Sequence, residues 1–296
     1  MIDDPAGLYG PASEAWRLNR EALLLLGAGP RALLLQVAHP LVAEGVDAHS
    51  DFRADPWRRL RGTLRSYLAI VYGTAARARA EIHRLNALHR RIGGPVRDPD
   101  ARASFGPAYA ARDPELSLWV HATLVDSTNV VNDRWLGPLP RGRQARFYAE
   151  TRPIGRAFGI PESLLPADLD AFERYLADML APTGPIHPTP VAHDIARAIL
   201  APPLSPIVPA LGWLPPAVYA WTLWPAIGLL PDAVRDAYGM RWGPRERLVS
   251  AWLVATWRAW RAVLPGSFRL MPQAVAAERR VGWTAAPRVP ETTILR

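Results

Sequence analysis

Apolar residues recur three and four positions apart along nearly the whole chain, while alternating β-branched runs are missing, so the sequence is patterned for helices. Thirty-one prolines cut that pattern into short lengths. Proline cannot donate a backbone hydrogen bond and disfavours the α conformation in the residue before it, so the helices must be many and often stopped. Of 296 residues, 49% are hydrophobic, enough for one large core or two modest ones. The expectation is an all-α chain, read as a single multi-helix domain over residues 1–296. Its core spans about 15–280, with a loose tail from about 285.

Local signals place the pieces. Ser13 suits the N-cap of a helix through "EAWRLNREALLLL", which Gly27 and Gly29-Pro30 should interrupt. "RALLLQVAH" should end at His39, and Pro40 suits the first turn of the next helix. An amphipathic helix is predicted from Pro56 to Tyr72, stopped by Gly73. A second, in "TAARARAEIHRLNALHRRIGG", should close on Gly93-Gly94, and residues 94–112 read as a loop. Asp113 and Pro114 are N-cap and first residue of "DPELSLWVHATLVDSTNVVNDRWLG". Helices at 141–159, 166–181 and 189–200 follow, and "PRERLVSAWLVATWRAWRAVL" is the last strong one. Residues 198–231 carry no charge, but eight prolines divide them. They read as a broken apolar hairpin instead of a membrane span: core, homodimer surface, or a greasy doorway with peripheral membrane contact through 204–231.

Composition excludes several functions. With no cysteine, the chain forms no disulfide, thiolate metal site, iron–sulfur cluster or thiolate-ligated haem. The net charge is +8, carried entirely by arginine and scattered among acids as in "FRADPWRRLRGTLR". No basic run with interleaved aromatics appears, so no nucleic-acid partner is expected. The acidic start "MIDDPAGLYGPASEAW" has no apolar signal region, and the expected compartment is the cytoplasm. HExxH, Glu-x-x-His, GxGxxG, GxSxG and Walker patterns are absent.

The polar groups in apolar surroundings are the candidates for chemistry. Arg59 and Thr63 stand four apart and share a helix face, where they could hold an anion or a bound oxygen species; a solvated arginine and an ordinary threonine are the plain alternative. His83 and His89 are six apart and cannot face one site. His83 sits among charges, whereas His89 lies near leucines, as a core residue or as an axial ligand to haem. His121 in "LWVHATLVDS" needs a partner, because an unpaired buried ring costs roughly 1–3 kcal/mol. Asp126, five residues on, is too far round the helix to supply it. His39 and His49 face the same demand. His39 reads as a helix corner with its ring on backbone carbonyls, and His49 with Asp51 as groups orienting the Arg59 helix. Glu44 is a candidate base, while His187 and His193 read as loop and cap residues.

The segments "GPRALLLQVAHPLVAEGVDAHSDFRADPWRRLRGTLRSYLAIVYG", "LHRRIGG", "YAARDPELSLWVHATLVDS", "FYAE" and "FGIP", in that order, resemble the MpaB/rubber-oxygenase (latex-clearing protein) catalytic-domain family over about residues 15–280. The resemblance implies a globin-like helical fold and a b-type haem used with dioxygen to cleave double bonds of isoprenoid chains. It places the iron ligand at His89, a second haem-site histidine at His121, and the oxygen-site pair at Arg59 and Thr63. A glutamate acting as base in those enzymes has Glu44 as its counterpart candidate. Rubber oxygenases carry a lysine just before the threonine. Here that position is Gly62 and the chain has no lysine, which argues against polymeric rubber and for a small isoprenoid or lipid. The expectation is therefore a haem b oxygenase acting on an apolar substrate. The alternatives are a haem-free helical lipid-binding or interaction protein of the same fold, or a non-haem iron site using His39, His49 or His121.

Overall fold

A computed structural model describes residues 3–50, 52, 55–201 and 223–283. Helices dominate it, with one short antiparallel hairpin. Helix α1 (Glu14–Asn19) is capped by Ser13. It is followed by α2 (Ala22–Val37), α3 (Pro40–His49), α4 (Pro56–Tyr72) and α5 (Ala75–His89). Next come strand β1 (Gly93–Pro95), α6 (Pro99–Phe105), strand β2 (Ala108–Ala110) and α7 (Pro114–Val131), which runs into a π-turn (Asn132–Leu136). Then come α8 (Arg141–Ala157), α9 (Leu169–Met179), α10 (Pro190–Leu200), α11 (Trp224–Ile227), α12 (Asp232–Ala237), α13 (Pro244–Val263), α14 (Gly266–Arg269) and α15 (Pro272–Arg280).

The centre is the antiparallel pair α2 and α7. Trp119 donates its indole N–H to the Leu35 carbonyl (3.1 Å), and Gln36 donates to the Thr123 hydroxyl (3.1 Å). Arg31, only 3% exposed, reaches Asp126 (2.6 Å), Ser127 (2.8 Å) and the Leu229 carbonyl (2.7 Å). A buried guanidinium survives only with such satisfaction, and this is where Asp126 finds its partner. Trp119, Leu34, Leu35, Tyr148 and Phe172 form the heart of a core shared by α2, α3, α7, α8, α9 and α10. The acidic end of "FYAE" is structural: Glu150 accepts from the Glu14 and Ala15 amides (3.0 and 2.9 Å), neutralising the N-terminus of α1.

Helices α4 and α5 form a second layer. The C-terminal half of α4 is pinned to α1 by Trp16 Nε1 to the Val71 carbonyl and Tyr72 Oη to the Trp16 carbonyl, both 2.8 Å. Helix α15 covers the same corner through Ala274 and Ala277.

Three local expectations are corrected. Gly27, Gly29 and Pro30 do not break α2, which runs through them. Long-range packing decides that point: Gly27 lies against the Trp135 ring, where a methyl would sit at 2.4 Å, and α7 holds the neighbouring turns. Gly93 and Gly94 do not cap α5, which ends at His89 with Arg90 as C-cap; they pair in β1 with Ala110 and Tyr109. Residues 94–112 are not one loop, since they hold both strands and α6, whose N-cap Asp98 accepts from the Ala101 amide (2.9 Å). The predicted corner at His39 is present, as a 102° bend between α2 and α3. Of the uncharged stretch, residues 202–222 lie outside the described residues, as does the tail beyond 283. Pro225, Ala226 and Ile227 of α11 are buried. Among the described residues no single helix is long and apolar enough to cross a membrane.

Candidate functional site

The site is a seam between the α4–α5 layer and the α7–α8 layer. Asn86, one turn before His89, donates to the Ala157 carbonyl at the end of α8 (2.8 Å). Two residues earlier, Gly155 faces His121: a methyl on Gly155 would sit 3.6 Å from His121 Nε2, 3.1 Å from Leu165 and 3.4 Å from Ile160. The contacts Asn86–Ala157 and Gly155–His121 tie α5, which bears His89, to the end of α8, and α8 to α7, which bears His121.

His121 Nε2 is buried with no hydrogen-bond partner. Loss of solvation pushes its pKa from 6.5 down to about 4, so the ring is neutral at physiological pH. That edge of the ring faces Gly155, whose own surroundings include Leu165 and Ile160. The partner that the sequence demanded for this ring is not supplied by the described residues. His89 ends α5, is half-buried, and burial lowers its pKa as well. Among the described residues its ring has no hydrogen bond.

Across the seam, Arg59, Thr63 and Tyr67 form an i, i+4, i+8 row on α4. Arg59 and Thr63 are exposed, and among the described residues neither side chain has an ion pair or hydrogen bond. Desolvation lowers the Arg59 pKa from its ordinary value. Tyr67 closes the row. Its phenol donates to Asn19 Oδ1 (2.7 Å) beside the Thr128 hydroxyl, and burial lifts its pKa to about 12. Thr128 lies two turns after His121 on α7, so the two rows meet at Tyr67 and Thr128. Tyr67, Asn86 and Gly155 were not singled out from the sequence. Only Tyr67 left a signal there, its spacing of four from Thr63.

Glu44 is not part of this seam. It is 2% exposed; Oε1 accepts from the Arg97 and Asp98 amides (3.1 and 2.9 Å), and Oε2 from Arg97 Nε (2.9 Å). A carboxylate holding three donors fixes the turn before α6, so Glu44 has a structural task away from the two histidines. His39 departs from expectation: its Nδ1 accepts from the Leu41 amide (3.2 Å) as the N-cap of α3, instead of donating to carbonyls. Burial, with His187 nearby, lowers its pKa to about 4. His49 lies 3.3 Å from the Gly93 carbonyl, tying α3 to β1. Asp51 lies outside the described residues, and Asp55 caps α4 through the Arg58 amide (2.8 Å). His83 is exposed, as expected; His187 stacks on Phe105 and His193 meets Tyr238 edge-on. Among the described residues no group of three or more acidic or histidine side chains could hold a metal ion.

Comparison with known proteins identifies the family of the chain. The family profile "ER-bound oxygenase mpaB/B'/Rubber oxygenase, catalytic domain" matches residues 16–265. An uncharacterized protein of Mycobacterium bovis is 26% identical over 240 residues, covering 79% of this chain and 87% of the relative. An uncharacterized protein of Mycobacterium tuberculosis matches with the same identity and coverage. No solved structure matches the chain. The matched span takes in α1 through α13 and every residue of the seam, and the chain belongs to the mpaB/rubber oxygenase catalytic-domain family of oxygenases.

Proposed function

We propose that the chain is a haem b-dependent oxygenase that uses dioxygen on a small apolar substrate of isoprenoid or lipid-like character. The observation that carries this reading is the pair of uncommitted neutral imidazoles at the seam. An unpaired buried Nε2 costs roughly 1–3 kcal/mol, and a fold keeps such a group where something outside the chain completes it. The donor set suits haem. His89 is half-buried and neutral, the form in which imidazole ligates iron, and His121 is a second neutral ring in aliphatic surroundings. With no cysteine in the chain a thiolate ligand is ruled out, and a neutral histidine is a suitable axial ligand.

Bound haem b supplies the redox chemistry that activates dioxygen. The chain's own part is positional and electrostatic. Arg59 remains a cation, since arginine's pKa stands far above neutrality even when lowered. Among the described residues neither it nor Thr63 has a hydrogen bond or ion pair, which suits donors that would meet negative charge developing on oxygen. Tyr67, held by Asn19, fixes the inner end of the row and keeps a protonated phenol there. Gly155, Ile160 and Leu165 give one wall without polar groups, which suits a greasy alkene and excludes competing water. Gly62 stands where the resemblance places a lysine, so no lysine would cover a haem held there.

The test is reconstitution of the purified chain with haemin, followed by assay with oxygen on short isoprenoids. Stoichiometric haem, oxygen uptake and carbonyl products are expected. A protein that stays colourless under haemin and consumes no oxygen contradicts the reading and favours the haem-free lipid-binding alternative.

A further inference from the structure

Helix α13 has two unlike faces. Its inner face is committed: Trp257 packs on Trp135 (5.2 Å between centroids), Leu253 is buried, and Arg261 binds Glu21 (2.6 Å). Arg258 holds the Trp135 carbonyl (2.9 Å). Its outer face carries Leu248, Trp252, Trp260 and Val263, exposed by 72%, 61%, 62% and 81%, with Phe268 of α14 at 74%. At 100° per residue the four α13 positions fall within a sector of about 120°. Large aromatics that open to solvent are a poor choice for a plain surface helix.

Charge accompanies that face. Arg241, Arg245 and Arg247 lie just before and in the first turn of α13, with Glu246 as the one carboxylate among them. Glu246 is itself held by the Gly243 amide at the start of α13 (2.8 Å). Arg241, Arg245 and Arg247 are exposed and without ion-pair partners among the described residues.

We propose that the outer face of α13, with Phe268, is an interfacial docking surface for an anionic lipid bilayer. Indole rings have an apolar body and an N–H that suits the headgroup level, and arginine stems lie along apolar surface while their heads reach phosphates. A second copy of the chain fits worse. A two-fold interface on this face would bring both sets of arginines together with one engaged glutamate each, whereas an anionic membrane complements them. This inference stands apart from the haem reading, and neither depends on the other.

The full chain is floated with vesicles of phosphatidylcholine, alone and mixed with phosphatidylglycerol. Binding to the anionic vesicles, weakened by salt, is expected. Trp252→Ser with Trp260→Ser abolishes it, and Arg245→Ala with Arg247→Ala weakens it by about fivefold per arginine. Because these side chains are exposed, both variants keep the wild-type melting temperature, which separates lost binding from misfolding. No flotation with either vesicle, or flotation unchanged in both variants, overturns the proposal. So does a concentration-dependent dimer that Trp252→Ser dissolves.

Discussion

Replacing His121 by leucine should stabilise the haem-free protein. Leucine is close in volume and removes a buried Nε2 that no side chain or carbonyl satisfies. At about pH 7.5 the gain is the desolvation of one unpaired nitrogen, roughly 1–3 kcal/mol. A second contribution grows as the solution is acidified. The folded pKa is about 4 against an ordinary 6.5, so the unfolded chain binds a proton that the folded chain refuses. Wild-type stability is therefore full above pH 6.5 and is lost as pH falls toward 4. The leucine variant escapes this loss, and at about pH 5 its advantage widens by about 2 kcal/mol. Urea unfolding followed by circular dichroism at the two pH values reads both parts. A variant less stable than wild type at pH 7.5, or an advantage that does not widen on acidification, would show that the imidazole serves the fold and refute the reasoning.

Other outcomes follow from the same geometry. Arg59→Ala should leave the free energy of urea unfolding within about 0.5 kcal/mol of wild type, because among the described residues the guanidinium has no partner, while oxygen uptake by the reconstituted protein falls sharply. Glu44→Gln should behave the opposite way: losing the charge that holds Arg97 and Asp98 costs about 2 kcal/mol in chemical denaturation, with haemin stoichiometry unchanged. Gly155→Val drives carbon into the wall formed by Leu165, Ile160 and His121. A loss of roughly 1–3 kcal/mol and slower haemin uptake in stopped-flow absorbance are expected.

How much of this could be read from the residues depends on the range of the forces involved. Pro56, Gly73, Asp113 and Pro114 act within one turn, and the helices they bound, α4 and α7, begin and stop where they dictate. The Gly27–Pro30 stretch misled because contacts with Trp135 and α7 outweigh a local helix breaker. Gly93-Gly94 misled because a strand pair and a helix cap both favour glycine, and only the arrival of residues 108–110 decides between them. The Asp98-Pro99 start of α6 was a legible cap placed inside a segment taken for loop. In the site, the four-residue spacing of Arg59 and Thr63 was visible in the sequence, and so was the demand of His121 for a partner. That Arg31 is the partner of Asp126 is a contact across 95 positions that no local pattern encodes. The structural task of Glu44 is hidden for the same reason: Arg97, which binds it, stands 53 positions away.

The central claim is that His89 and His121 together complete a haem site. The direct measurement is a haemin titration of the haem-free chain followed at the Soret band, in wild type, His89→Ala and His121→Leu. One haem per wild-type chain is predicted, with the band shifted or lost in His89→Ala and weakened in His121→Leu. Haemin uptake that is absent in wild type, or unchanged in both variants, would contradict the account.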